Sequence, residues 1–273
     1  MVSRNTSDMA DLKNVRRHVP RFASVRSITA LILREMSTTY GRSPGGIIWA
    51  ILEPAGAIAL MVLIFSIGFR TPPLGSSFAI YYASGMLPFI MFVSTSAKVQ
   101  QAINYSRQLL NYPRVSFMDA LLARLLLNVL LQAIVSTIIL TFILVTWDTR
   151  TVFVIGRVLN AYAMAIALGF GVGMLNCVLI SRNPVWASVW SVATRPLVLI
   201  SGVIFLHDRI PDPYRTWLEW NPLVHVVGEA RRGFYYSYTA DYVSISYSYG
   251  FAGVCALLGL LFLKTYYRDL LER

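Results

Sequence analysis

Six separate runs of about twenty mostly apolar residues dominate this 273-residue chain, and a run of that length is what an α-helix needs to cross a bilayer. They cover Ile47–Phe69, Phe78–Ala97, Ala120–Trp147, Val158–Ile180, Val185–Leu206 and Gly250–Tyr266. Charged residues amount to only 14% of the sequence and mean hydropathy is +0.58, whereas a soluble domain carries about a quarter charged residues. A water-soluble fold of this size would lack the polar surface to cover itself. The same composition excludes disorder. The two cysteines, Cys177 and Cys255, lie inside apolar runs and read as small core residues, not as a bridge or a metal site. The expected fold is an all-α integral membrane domain of six transmembrane helices over residues 47–266, with an N-terminal segment 1–46 and a short tail 267–273.

The charge balance of +11 would suggest nucleic acid in a soluble protein. Here the basic residues fall between apolar segments and report topology instead. Alternate sides of the six spans receive 15 and 7 of the 24 Lys and Arg, with Arg124 and Arg195 inside spans. The richer side includes both ends of the chain, so both termini are expected in the cytoplasm. The first 30 residues contain arginines but no apolar stretch long enough for a signal peptide.

Three non-spanning segments carry further pattern. Ahead of the first span, Phe22, Val25, Ile28, Ile32 and Met36 recur every three or four residues, with Arg34 opposite and Arg26 and Glu35 at the flanks. This spacing predicts an amphipathic helix lying in the membrane interface. Residues 104–116 form a short polar link between the second and third spans, stopped by Pro113. Residues 207–249 are long for an unstructured connection and too short for two crossings. Their apolar content predicts re-entrant or interfacial helices on the outer side. The tyrosines Tyr235, Tyr236, Tyr238, Tyr242, Tyr247 and Tyr249 read as an interfacial aromatic belt, with a sugar-stacking platform as the sharper alternative.

Motifs of catalysis are missing. No lysine follows a glycine, so G-x-x-x-x-G-K-[ST] cannot be written anywhere. His18, His207 and His225 have no metal-ligand spacing. Gly169-x-Gly171-x-Gly173 sits in mid-span and reads as close helix packing. No enzyme activity, no metal and no cofactor of the chain's own are expected.

Ionisable groups within spans are costly and default to functional candidates. Arg195, before Pro196, lies near the middle of the fifth run. It is read either as a cation facing the conduit or as a structural pair. Glu53 and Arg124 lie a turn or two inside the cytoplasmic boundary of the first and third runs, and a mutual ion pair is the expectation. Arg70 and Arg157, near outer span ends, are snorkelling residues or pathway contacts.

With these residues in view, Arg34-Glu35-Met36 … Tyr40-Gly41 … Ser43 … Gly46 … Trp49-Ala50-Ile51-Leu52-Glu53-Pro54 resembles the approach to the first span of ABC-exporter permeases that move polysaccharide. Ser84-Gly85-Met86-Leu87-Pro88-Phe89, Ala102-Ile103-Asn104, Leu109-Leu110-Asn111-Tyr112-Pro113 and Asp119 with Ala123-Arg124 are similar to the capsule-export branch. Asn221-Pro222-Leu223-Val224-His225, then Arg231 or Arg232 with Gly233-Phe234, is similar to that family's segment before the last span. Pro44-Gly45 departs from the pattern, where a bulky apolar residue would precede the glycine. The resemblance implies a homodimeric half-transporter in the bacterial inner membrane, driven by two copies of an ABC ATPase that binds ATP and Mg. It also implies a periplasmic adaptor, an outer-membrane polysaccharide exporter and a lipid-linked capsular polysaccharide as cargo, with no nucleic acid partner.

On that reading the segment 104–116 is a coupling helix, with Asn104, Arg107, Leu110, Asn111, Tyr112, Arg114 and, on the interface helix, Arg34 as ATPase-contact candidates. Arg195, Arg157, Arg70, Arg231, Arg232, Tyr235 and Tyr236 are pathway candidates. O-antigen, teichoic acid or another surface glycan is the nearest alternative cargo. A secondary transporter would show inverted repeats and midplane carboxylates, and Glu53 is the sole acidic residue well within a run. A membrane-embedded lipid-modifying enzyme would cluster His, Asp and Arg, for which His207-Asp208-Arg209 is the one weak candidate.

Overall fold

The computed structural model describes residues 23–39, 46–105, 116–149 and 151–272. Among them every regular element is helical. In chain order they are α1 (Ala23–Thr39), α2 (Gly46–Gly68), α3 (Phe78–Gln100), α4 (Phe117–Thr146), α5 (Ile155–Arg182), α6 (Val185–Thr194), α7 (Leu197–Ile200), a 3₁₀ turn at His207–Arg209, α8 (Tyr214–Leu218), α9 (Pro222–Phe234) and α10 (Ile245–Glu272).

Five helices, α2, α3, α4, α5 and α10, are long and apolar enough to cross a membrane. The expected fifth run, Val185–Leu206, is not one continuous helix, so among the described residues five of the six expected spans are found as unbroken helices. Pro196 is the cause. Having no N–H it cannot bond the Val192 carbonyl, and its ring crowds that carbonyl. Instead the Arg195 N–H takes the Val192 carbonyl at 3.3 Å, a tightened last turn. Helix α7 then runs only to Ile200, and Gly202 turns the chain with φ of +72°, a conformation costly for any residue bearing a Cβ.

The broken segment nevertheless joins the two ends of the bundle. It starts beside the end of α5, where Trp186 Nε1 donates to Asn176 Oδ1 at 2.8 Å. It finishes where Tyr81, in the first turn of α3, donates to the Ile204 carbonyl at 3.3 Å.

Helix α5 is the axis of the fold and packs most extensively on α10 and α3. Its glycines permit this. A Cβ on Gly169 or Gly173 would come within 2.9 Å of the α3 side chains of Thr95 or Val99, and one on Gly171 would run into the Ala252 carbonyl of α10. The reading of this motif as close helix packing holds. Helices α5 and α10 run parallel, since Asn160 meets Tyr249 at one end and Arg182 stacks on Tyr266 at the other, and α3 runs with them, Thr95 lying by Gly169 and Val99 by Gly173. Cys177 and Cys255 are free and buried.

The segment 207–249 folds inward as expected. Helix α9 is buried almost throughout. Pro222 opens it, Asn221 Oδ1 accepts from the Leu223 N–H at 3.0 Å, and Asn221 Nδ2 ties it to the Ile200 carbonyl at 3.1 Å. The tyrosines divide between inside and outside instead of forming one exposed row: Tyr235 and Tyr238 are buried, Tyr242 and Tyr247 half-buried, and Tyr236 and Tyr249 exposed. Tyr247 donates to the Trp220 carbonyl at 2.7 Å. A non-helical chain needs extra polar partners where water is excluded, and tyrosine supplies an apolar ring with a hydroxyl at its tip. Exposed aromatics at this end include Tyr214, Trp217, Trp220 and Tyr236.

Gly173→Val should disrupt α3–α5 packing by about 1–3 kcal/mol, the ordinary cost of overfilling a tight core. Gly156→Ala, where an added Cβ meets nothing, should leave the melting temperature in detergent unchanged. Equal melting temperatures for the two variants would contradict this packing.

Candidate functional site

Two polar clusters sit at opposite ends of the bundle. The first gathers where α1, the end of α3 and the start of α4 meet. Ser116 and Asp119 fix the start of α4: the Met118 N–H donates to Ser116 Oγ at 3.2 Å, and the Ser116 N–H donates to Asp119 Oδ2 at 3.1 Å. Two turns into that helix, Arg124 Nη2 lies 3.1 Å from Glu35 Oε1 of α1, with both side chains at most 7% exposed. Arg124 Nη1 donates to the Lys98 carbonyl at 3.1 Å, and its guanidinium stands 4.1 Å from the ring centre of Tyr105. One guanidinium thus holds three separate pieces of chain by an ion pair, a charge-assisted hydrogen bond and a cation–π contact. One turn deeper Asn128 Nδ2 donates to Ser94 Oγ and Thr95 Oγ1, at 3.1 and 3.0 Å. A cavity of about 10 Å³ lies between Glu35, Lys98, Arg124, Leu127, Asn128 and Leu131.

This arrangement corrects the expected Glu53–Arg124 pair: Glu35 is the partner. Glu53 lies on an exposed face of α2, a helix that makes few contacts with α4. Helix α1 packs on α4, where Glu35 meets Arg124; Ile28, Leu31 and Ile32 are half-buried, while Val25 and Met36 of the expected stripe are exposed. Among the coupling candidates Asn104 is exposed beside Tyr105, and Arg34 is exposed with its guanidinium 6.0 Å from the Tyr105 ring centre. Arg107, Leu110, Asn111, Tyr112 and Arg114 lie outside the described residues.

The second cluster sits beneath the opposite end. Arg231, wholly buried in the last turn of α9, donates through Nη2 to the Val203 carbonyl at 2.8 Å and lies 4.3 Å from the Tyr81 ring centre. It therefore ties α9 to the end of the broken segment and the start of α3, inside the protein. Tyr235 is buried against Gly75. Arg232 pairs with Glu229 at 3.2 Å, and Glu229 accepts from Asn160 at 3.4 Å. Arg70 and Tyr236 are exposed and Arg157 is half-buried. Arg195 is exposed at the break between α6 and α7.

His225 lies near the start of α9. The Ser244 N–H donates to its Nδ1 at 3.2 Å, so Nε2 carries the proton and donates to the Glu219 carbonyl at 2.9 Å. Burial pushes this imidazole below its ordinary pKa, against the opposing influence of Glu219. Glu35 as a ligand of Arg124, the Val203 carbonyl and the Asn160–Glu229 contact escaped sequence reasoning. Only Glu35, beside Arg34 in a motif already noted, carried any signal.

The described geometry is that of a polytopic permease domain with no nucleotide pocket assembled from its own motifs. The family described as ABC-2 type transporter matches residues 26–235, and the chain belongs to that family. Among individual relatives it is 34% identical over 245 residues to the polysialic acid transport protein KpsM of Escherichia coli, covering 88% of this chain and 93% of that one. It is 24% identical over 243 residues to the capsule polysaccharide export inner-membrane protein BexB of Haemophilus influenzae, covering 88% and 91% of the two chains. It is 25% identical over 236 residues to the corresponding protein CtrC of Neisseria meningitidis, covering 86% and 89%. None of these relatives is named for O-antigen or teichoic acid.

Removing one member of a buried pair leaves the other charge uncompensated, at a cost of about 3–5 kcal/mol. Glu35→Ala and Arg124→Ala should each destabilise on that scale, and the double variant by clearly less than the sum. Glu53→Ala combined with Arg124→Ala should instead be additive, and the reverse pattern in thermal unfolding would contradict the Glu35 pairing.

The lowered pKa of His225 has its own consequence. Unfolded histidine takes a proton near pH 6.5, while the buried ring resists it. Stability from this site is therefore complete above about pH 6.5 and falls as pH drops below that value. His225→Gln should flatten the fall in melting temperature between pH 7.5 and 5.5, and an unchanged slope would contradict the assignment.

Proposed function

We propose that this chain is the membrane-spanning half of an exporter that passes a lipid-linked capsular polysaccharide across the bacterial inner membrane. Two copies form the conduit, and two copies of a separate ABC ATPase bind on the cytoplasmic side, where both termini lie. A periplasmic adaptor and an outer-membrane exporter receive the polymer. The observation that carries this reading is 34% identity to a polysialic acid transport protein along almost its whole length. Supporting it, the chain has no P-loop lysine and so must borrow its energy.

Mechanistically, closure of the ATPases would push on α1 and on the segment after Tyr105. Glu35 and Tyr105 both bear on Arg124, so the push reaches α4 as one rigid unit. At the far end Arg231 links α9 to the broken segment, and a tilt of the helices there would shift the re-entrant layer and open a continuous path. A long polymer cannot be enclosed in one cavity, so it moves in steps. Arg70, Arg157 and Tyr236 are the candidates for contact with it.

The test is reconstitution. Purified through a tag on this chain, the complex should contain the ATPase in equal copy number and hydrolyse ATP. Cells lacking the chain should retain lipid-linked polymer in the cytoplasm and lose it from the surface. A chain that drives cargo uphill alone in liposomes, or normal surface polymer in the deletion strain, would contradict the proposal.

A further inference from the structure

Glu53 of α2 and Arg195 at the α6–α7 break are opposite charges inside apolar segments, and neither side chain has an ion-pair or hydrogen-bond partner among the described residues. Both are exposed. Both sit on bare elements, for α6 and α7 have no buried residue and the apolar window of α2 is only 11% buried. A lone carboxylate or guanidinium facing hydrocarbon is expensive, so a second surface must cover each of them.

The elements that carry the two charges converge at one end. Phe65 of α2 and Phe205 at the end of the broken segment meet edge to face with ring centres 6.5 Å apart. Glu53 precedes Phe65 by twelve residues, about 18 Å of helix at 1.5 Å per residue. Arg195 precedes Phe205 by ten residues of mixed helix and turn. Within one chain, however, α2 and α6 do not pack closely.

We infer that the bare faces of α2 and of the broken segment are covered by a second copy of this chain, with Glu53 of each protomer paired to the partner's Arg195. A two-fold axis makes such a contact reciprocal, so one interface contains two identical pairs. The inference rests on the homodimer proposed above and names the surface and the charges that specify it. It also gives Arg195 the structural alternative left open by sequence.

The arrangement has a signature that no intrachain pair can imitate. In a dimer of Glu53→Arg chains both contacts become Arg against Arg, and in a dimer of Arg195→Glu chains both become Glu against Glu. One chain of each kind together restores opposite charges at both contacts. Differently tagged chains are co-expressed, extracted in mild detergent and scored by two-tag co-purification and light scattering. Each single variant should self-associate at least tenfold more weakly than wild type, the mixed pair should recover wild-type association, and the double variant E53R/R195E should recover it too.

Recovery in the double variant without recovery in the mixed pair would overturn the inference in favour of pairing inside one chain. Single variants that dimerise like wild type but export poorly would overturn it in favour of cargo contact. The milder E53Q and R195Q chains should weaken association without reversing it, which guards against variants that fail to fold. A wild-type chain that is monomeric in the membrane would instead defeat the homodimer itself, an outcome distinct from the others.

Discussion

The buried contact between Arg124 and Glu35 is the point on which the account turns. Taking two charges out of water is costly, and the expense is offset only when geometry is good and the remaining hydrogen-bonding groups are used. Here the guanidinium also engages the Lys98 carbonyl and the Tyr105 ring. An interaction that is so unfavourable when half-made has two states, engaged or broken, and little between. It therefore transmits displacement instead of absorbing it. Helix α1, the end of α3 and the start of α4 are obliged to move together.

The far end of the bundle obeys the same logic with different chemistry. Helix α9 enters the protein without crossing it, and its polar groups must be satisfied internally. Arg231, Asn221, His225 and Tyr247 do this by reaching carbonyls of neighbouring segments, and Tyr238 and Tyr242 bond each other. The break at Pro196 supplies two of them: Ile200, which accepts from Asn221, and Val203, which accepts from Arg231. A continuous helix would have spent those carbonyls on its own ladder. The discontinuity thus gives α9 its anchor, and between the two charged ends the glycine-lined face of α5 keeps α3 and α10 close enough to act as one body.

Much of this was legible in the sequence. Hydrophobic run length located five helices, three- and four-residue spacing located α1, and the Gly169–Gly173 stripe announced its packing. Other features were not legible, for reasons that are physical. Arg124 had two acidic residues within reach along the chain, and only the docking of α1 on α4 decides for Glu35. Pro196 was visible, but hydropathy averages over a break and counts the whole of 185–206 as one span. The tyrosines of 235–249 share composition with an aromatic belt, and the burial of Tyr235 and Tyr238 depends on the folding of the connection between α9 and α10, which has no helical period. The coupling candidates from Arg107 to Arg114 keep their sequence-based standing alone.

The central claim is that a push delivered at α1 arrives at the broken segment. Spin labels at exposed positions on α1 and α7, in the complex reconstituted with its ATPase, would measure this directly by pulsed dipolar distances. The account predicts that ATP changes the α1–α7 distance in the native complex and leaves it unchanged when Arg124 is replaced by Gln, although nucleotide still binds. An ATP-driven change of equal size in the Arg124→Gln complex would contradict it.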